Sequence, residues 1–321
     1  MKYVFVVDSG VTDGVGHIMR TLPLAEELKK RNHQVLYVGS EDFPLWIQSK
    51  LRENQFPFEV ISEFEFKVLA QDAILVIDSY SESLIKSCTN PRAFLKIVRV
   101  SDNYTPEFNC DFNIKISVAN QESEDDNSTS GSLYFPIRNG IKKISDSVKF
   151  QVLPVIAVVA GGNDDSNFQA NLSKILTTIE SNFICNFFVS QNFSGVSHFA
   201  HDKRFNFYPL GNDLDRLGNS SNLAFVTAST TAVEFVARGC VTGIISVTEN
   251  QSQFEGDLIN SGLATKIGEY SNGVFIFDKT LISSLIKDNL FRIKKSPISD
   301  LDNMGSKRII DKMEKLFSDQ N

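Results

Sequence analysis

Few side chains in this 321-residue chain are suited to acid–base chemistry near neutral pH. It has four histidines, His17, His33, His198 and His201. His17 stands in "SGVTDGVGHIMR", with Gly14 and Gly16 before it and Arg20 after it. A histidine a few residues beyond a buried strand, at a helix start, suits the neutral imidazole that a general base requires. The exposed N–H groups of such a helix start also suit phosphate. "VIDSYS" and "VSDNY" each follow another apolar run, and they bring Asp78, Tyr80 and Asp102 to strand ends. These residues are expected beside His17, where they could contact a substrate. The ordinary alternative is that the aspartates cap turns and that His17 only packs.

A second set lies in the other half of the chain. "VAGGND" offers Gly161, Gly162 and Asn163, where glycines let backbone amides approach a phosphate, and Asn163 or Asp164 could cap the next helix. "TASTTAVEF" places Ser229 and Thr230 at a strand–helix junction, with Glu234 a turn later. Glu234 is a candidate for a ribose diol, against the alternative of a capping box. "VTENQSQFE" adds Asn250 and Gln251 at a third junction. Three polar junctions in one domain point together to a nucleotide site.

The elements that must position these residues are legible as alternating strands and helices. "YVFVVD", "QVLYVG", "AILVID", "KIVRVSD" and "DFNIKIS" read as strands, and "HIMRTLPLAEELKKRNH" has helical apolar spacing. Pro23 is expected to end or bend that helix near its first turn. "NQESEDDNSTSGS" reads as a surface loop, and "YFPIRNGIKKISDSVKF" as a connector. The same grammar then restarts in "PVIAVVAGG", "FICNFFVS", "AFVTAS" and "VTGIISV". The expected fold is α/β, with two Rossmann-like domains facing across a cleft. The expected domains are 1–140 and 150–300, followed by a C-terminal helix over 301–321.

Composition excludes several classes. The net charge is −7, and no basic run stands out, which argues against nucleic acid or an anionic membrane as a partner. No apolar stretch approaches a membrane span, and no signal peptide is expected. The four cysteines are scattered without a CxxC pair, as in a cytoplasmic protein without disulfide or zinc scaffolding. The second strand closes in "YVGSED" without a GxGxxG fingerprint, which counts against a nicotinamide cofactor. No metal and no cofactor are expected.

Taken in order, "GVGHIMR", "VIDSY", "VSDNY", "AGGND", "ASTTAVEF" and "ENQ" resemble the UDP-sugar hydrolases of the pseudaminic acid pathway, which are related in fold to MurG-type glycosyltransferases (the GT-B fold). The resemblance covers most of the chain. It implies a substrate of UDP-linked acetamido-deoxyhexose type, cleaved to free sugar and UDP. His17 would activate water at the anomeric carbon, with Arg20 the arginine of the same motif and Tyr80 lining the sugar side. Gly161 and Gly162 would lie near the nucleotide, Ser229 and Thr230 at the pyrophosphate, Glu234 near the ribose, and Asn250 with Gln251 near the phosphates. The alternatives are a glycosyltransferase of the same fold and a nucleotide-sugar-binding protein without catalysis.

Overall fold

The computed structural model describes residues 1–9, 14–39, 42–60, 72–89, 94–119, 125–142, 153–161, 164, 166–189, 201–288 and 301–319. Gly162, Asn163, and parts of the acidic loop and of the connector fall outside these residues. The chain forms two compact units, Met1–Arg138 with Asp302–Asn321, and Asn139–Leu301.

In the first unit the chain runs β1 (Lys2–Val7), α1 (Gly14–Lys30), β2 (Gln34–Gly39), α2 (Leu45–Glu53), β3 (Phe58–Val60), β4 (Ala73–Asp78), α3 (Glu82–Thr89), β5 (Lys96–Ser101), β6 (Phe112–Lys115) and β7 (Ser128–Thr129). Among the described residues these strands form one parallel sheet in the order β3-β2-β1-β4-β5-β6-β7. Tyr3 to Val7 are fully buried, as expected of a central parallel strand covered on both faces. The order reverses between β1 and β4. In open α/β sheets ligands bind outside the carboxyl ends of the strands at such a point. Asp8 leaves β1 there, and Asp78 ends β4.

Helix α1 departs from expectation twice. It starts at Gly14, so both glycines and His17 lie inside its first turns and not in a loop. It also runs through Pro23 to Lys30. A proline in a helix interior costs about 3 kcal/mol. Leu22, Leu24 and Leu28 are each almost fully buried, and each such burial contributes about 1.5–3 kcal/mol. The apolar face therefore outweighs the proline. One turn earlier, the Thr21 hydroxyl bonds to the carbonyls of His17 at 3.0 Å and Ile18 at 3.1 Å.

The expected helix at the end of the chain returns to the first unit. The C-terminal helix, Gly305–Asp319, belongs to the first unit. Arg31 reaches Glu314 and Asp311, each at 2.7 Å. His33 Nε2 lies 2.8 Å from Glu314 Oε1, and Arg308 donates to the Leu133 carbonyl. The segment read as a loop after Asn120 also holds the short strand β7 and a 3-10 turn over Ser132–Tyr134.

The second unit continues with β8 (Val155–Val159), α4 (Phe168–Thr177), β9 (Ile184–Val189), β10 (Phe205–Pro209), α5 (Asn212–Gly218), β11 (Leu223–Thr227), α6 (Thr230–Arg238), β12 (Val241–Ile245), α7 (Glu249–Asn260) and β13 (Thr265–Lys266). Its parallel sheet has the order β10-β9-β8-β11-β12-β13, so the reversal lies between β8 and β11. A separate hairpin, β14 (Gly268–Ser271) with β15 (Val274–Phe277), is antiparallel. Its Phe275 and Phe277 pack on the core around Phe168, and α8 (Lys279–Asp288) follows. No described helix is long and apolar enough to cross a membrane.

Candidate functional site

The carboxyl edge of the first sheet gathers the residues singled out in the sequence. His17 is 4% exposed, Arg20 8% and Asp78 0%. His17 Nδ1 lies 2.6 Å from Asp78 Oδ1. A carboxylate only accepts, so Nδ1 carries the proton, and in the neutral imidazole Nε2 is then the acceptor. Arg20 grips the same carboxylate with two donors, Nε at 2.6 Å from Oδ2 and a terminal nitrogen on Oδ1. Its other terminal nitrogen donates to Asp102 Oδ2 at 2.7 Å. The Tyr80 hydroxyl donates to that same oxygen. The Tyr80 ring meets the His17 ring edge-on, with centroids 4.5 Å apart.

Charge in this cluster is set by pairing. Burial alone would raise the Asp78 carboxyl, but the Arg20 guanidinium and His17 outweigh it and hold it below the usual aspartate range. Asp102 is held down in the same way, by Arg20 and by the Tyr80 hydroxyl against its burial. Burial raises the Tyr80 phenol, and Asp102 beside it adds to that effect. Arg20 stays protonated against its burial because two carboxylates face it. Asp78 therefore touches His17 and Arg20 and offers no surface to a substrate. Arg20 is likewise committed to carboxylates. Tyr80 and Asp102 are half-buried beside them.

One residue of this edge, Asp8, is not among the candidates that the sequence offers. Asp8 accepts from the Ser79 hydroxyl at 2.6 Å and from the Tyr80 backbone N–H at 2.8 Å. It ties the end of β1 to the loop after β4, and its Oδ2 lies 3.9 Å from His17 Nε2. An aspartate closing a buried strand was the available signal. At Gly16, nothing among the described residues outside its own stretch of helix lies within 4 Å of where a Cβ would sit.

The second sheet presents its own carboxyl edge. Gly161 follows β8 with φ +88°, a conformation that favours glycine. The Thr227 hydroxyl, at the end of β11, donates to the Ala160 carbonyl at 3.1 Å. Asp164 caps α4 by accepting from Phe168 N at 2.7 Å and Gln169 N at 2.9 Å. Ser229 is the N-cap residue of α6, but its side chain makes no capping bond. Its Oγ is buried without a hydrogen-bond partner. Thr230 opens the helix. Glu234 is its fifth residue and is buried, so it lies beyond the third position that a capping box requires.

The third junction is partly committed to its own helix. Asn250 and Gln251 lie within the first turn of α7 and not ahead of it. Gln251 Oε1 accepts from Val247 N at 3.0 Å, and Asn250 Oδ1 accepts from the Thr248 hydroxyl at 2.6 Å. Ser246, not singled out in the sequence, has a buried Oγ without a partner. Its backbone N–H donates to Glu255 Oε2 at 2.6 Å. Among the described residues, no group of three or more His, Cys, Asp or Glu side chains is arranged to hold a metal ion.

No family model matches the chain. It is 22% identical over 304 residues to an uncharacterized protein of Methanocaldococcus jannaschii, a match that covers 86% of this chain and 62% of that protein. The chain thus spans under two thirds of that relative's length. MurG of Acinetobacter baumannii superposes with a TM-score of 0.68 at 12% identity, over 98% of this chain and 100% of that one. The calicheamicin glycosyltransferase gives 0.65 at 11%, over 98% of each chain. Anabaena HepE, solved in complex with UDP-glucose, gives 0.64 at 13%, over 100% and 99%. The fold is accordingly the GT-B type, with two parallel-sheet Rossmann-like units.

Proposed function

We propose that the protein is an enzyme acting on a UDP-sugar, and that it hydrolyses a UDP-linked acetamido-deoxyhexose to free sugar and UDP. The observation that carries the reading is the bond from His17 Nδ1 to Asp78. It fixes the tautomer and turns Nε2 outward from the carboxylate as a base. Water deprotonated at Nε2 attacks the anomeric carbon, the C–O bond to the diphosphate breaks, and UDP leaves with the electron pair. Asp78 is the positioning residue of His17, and Arg20 with Asp102 fixes Asp78 in turn. Tyr80 lines the sugar side.

The second unit holds the nucleotide in this reading. The unpartnered Ser229 hydroxyl, Thr230 and the start of α6 suit the diphosphate. The backbone at Gly161 suits close approach of the nucleotide, and Gly162 and Asn163 are assigned to the same site from the sequence alone. Glu234 takes the ribose, and Asn250 with Gln251 lies near the phosphates. No metal or cofactor has a part in this scheme.

A glycosyltransferase is the second reading, favoured by the solved structures that share the fold. There a sugar or lipid hydroxyl replaces water. The two separate when the protein is incubated with a panel of UDP-, CMP- and GDP-sugars without any acceptor. Stoichiometric release of UDP and free sugar supports hydrolysis. Release that begins only on adding an acceptor alcohol supports transfer.

A further inference from the structure

We infer that Asp8 is a second acceptor for the attacking nucleophile, and that it makes the His17 site selective for water over an alcohol. The inference rests on the hydrolytic reading of that site. His17 Nε2 and Asp8 Oδ2 are 3.9 Å apart, too far for a direct hydrogen bond and a distance that one oxygen bridges. Two bonds of about 2.8 Å from a shared oxygen across this gap subtend roughly 90°. That is near the angle between the two O–H bonds of a water molecule.

Asp8 is held for this task. Its Oδ1 accepts from Ser79 and its Oδ2 from Tyr80 N. Each carboxylate oxygen has two lone pairs, so Oδ2 retains capacity for a further donor. Water has two O–H groups and satisfies both acceptors at once. One hydrogen goes to His17 Nε2, the other to Asp8. In the reaction the proton on the Nε2 side moves to His17, the water oxygen bonds to the anomeric carbon, and the bond to the UDP oxygen breaks with its electron pair. The remaining O–H, still directed at Asp8, becomes the new hydroxyl of the sugar.

An alcohol has one O–H. If it gives that hydrogen to His17, it must set an alkyl group against the Asp8 carboxylate. A site with two buried acceptors rejects a ligand that supplies one donor, because one acceptor is left unpaired. Asp8 thus separates hydrolysis from transfer at this site.

The test uses the full chain, the UDP-sugar it hydrolyses fastest, and buffer containing methanol, with methyl glycoside and free sugar quantified. The parent protein should give less methyl glycoside than the methanol share of the nucleophile. Asp8→Ala, which removes both carboxylate oxygens, should hydrolyse roughly 10-fold to 100-fold more slowly, and its ratio of methyl glycoside to free sugar should rise. A parent whose products follow the methanol-to-water ratio overturns the proposal without any variant. So does an Asp8→Ala protein with the parent's rate and ratio. Failure of the parent to hydrolyse any UDP-sugar is a different result, and it overturns the functional reading together with this one.

Discussion

His17 and Asp78 are 61 residues apart in the chain and meet through Nδ1 and Oδ1 at 2.6 Å. The contact exists because β1 and β4 are parallel neighbours in register, Val7 beside Asp78. The helix after β1 therefore starts above the end of β4. A histidine one turn into that helix and an aspartate at that strand end are brought together by topology alone.

The Asp78 carboxylate should matter more than its volume. In Asp78→Asn, Arg20 competes for the amide oxygen and turns the amide N–H₂ toward Nδ1. The imidazole then carries its proton on Nε2 and cannot act as a base there. Turnover of the UDP-sugar should fall roughly 10²-fold or more, with KM changed far less.

The same substitution has a pH signature. Folding holds the Asp78 carboxyl below its ordinary value, so its ionisation stabilises the fold above about pH 3.9, and this contribution is lost as pH falls below that. At neutral pH, Asp78→Asn should be less stable than the parent by about 3 kcal/mol. The gap should narrow below about pH 4 as the parent's carboxylate is protonated. Urea unfolding at neutral pH and across the acid range measures it. A gap that widens toward acid contradicts the assignment of an ionised, paired Asp78.

Docking of the C-terminal helix depends on close backbone approach. A Cβ at Gly305 would press into the Phe135 carbonyl oxygen. Gly305→Ala should lower stability by about 1–3 kcal/mol, detectable as a reduced melting temperature. It should leave the affinity for UDP unchanged, since the nucleotide residues proposed above belong to the second unit. Parental stability in this variant would show that the helix does not seat on Phe135 as described.

The second unit should carry the nucleotide. Glu234→Ala should weaken UDP binding by about 1.5–3 kcal/mol, read by calorimetry on the full chain. Equal affinity of variant and parent removes Glu234 from the ribose and leaves it a buried residue of α6.

The parts of the fold legible in the sequence were those with long apolar runs. β1, β4, β8 and β11 are buried on both faces and read as continuous hydrophobic segments. His17, Arg20, Asp78, Tyr80 and Asp102 are legible as polar residues at strand and helix ends, and the two aspartates and Tyr80 are expected beside His17. Their mutual bonds were not legible, because ion pairing across parallel strands leaves no periodicity. Asp8 reads in the sequence only as the end of a strand. Helix starts were misplaced where glycine or polar residues open the first turn, at Gly14 and at Glu249. The hairpin β14–β15 escaped because its strands are short, and "VFIF" turns Val274 and Ile276 to solvent. The return of the C-terminal helix rests on pairs such as Arg31 with Glu314, 283 residues apart, which no local pattern encodes.

The central claim is that His17 activates water for attack at the anomeric carbon, and oxygen labelling tests it most directly. Hydrolysis of the UDP-sugar in ¹⁸O-labelled water should place the label in the free sugar and none in UDP. His17→Ala should slow the labelled reaction roughly 10²-fold or more while retaining the parent's circular dichroism spectrum. Label in the terminal phosphate of UDP would show cleavage at phosphorus and contradict the account. Labelled sugar formed by His17→Ala at the parent's rate would contradict it equally.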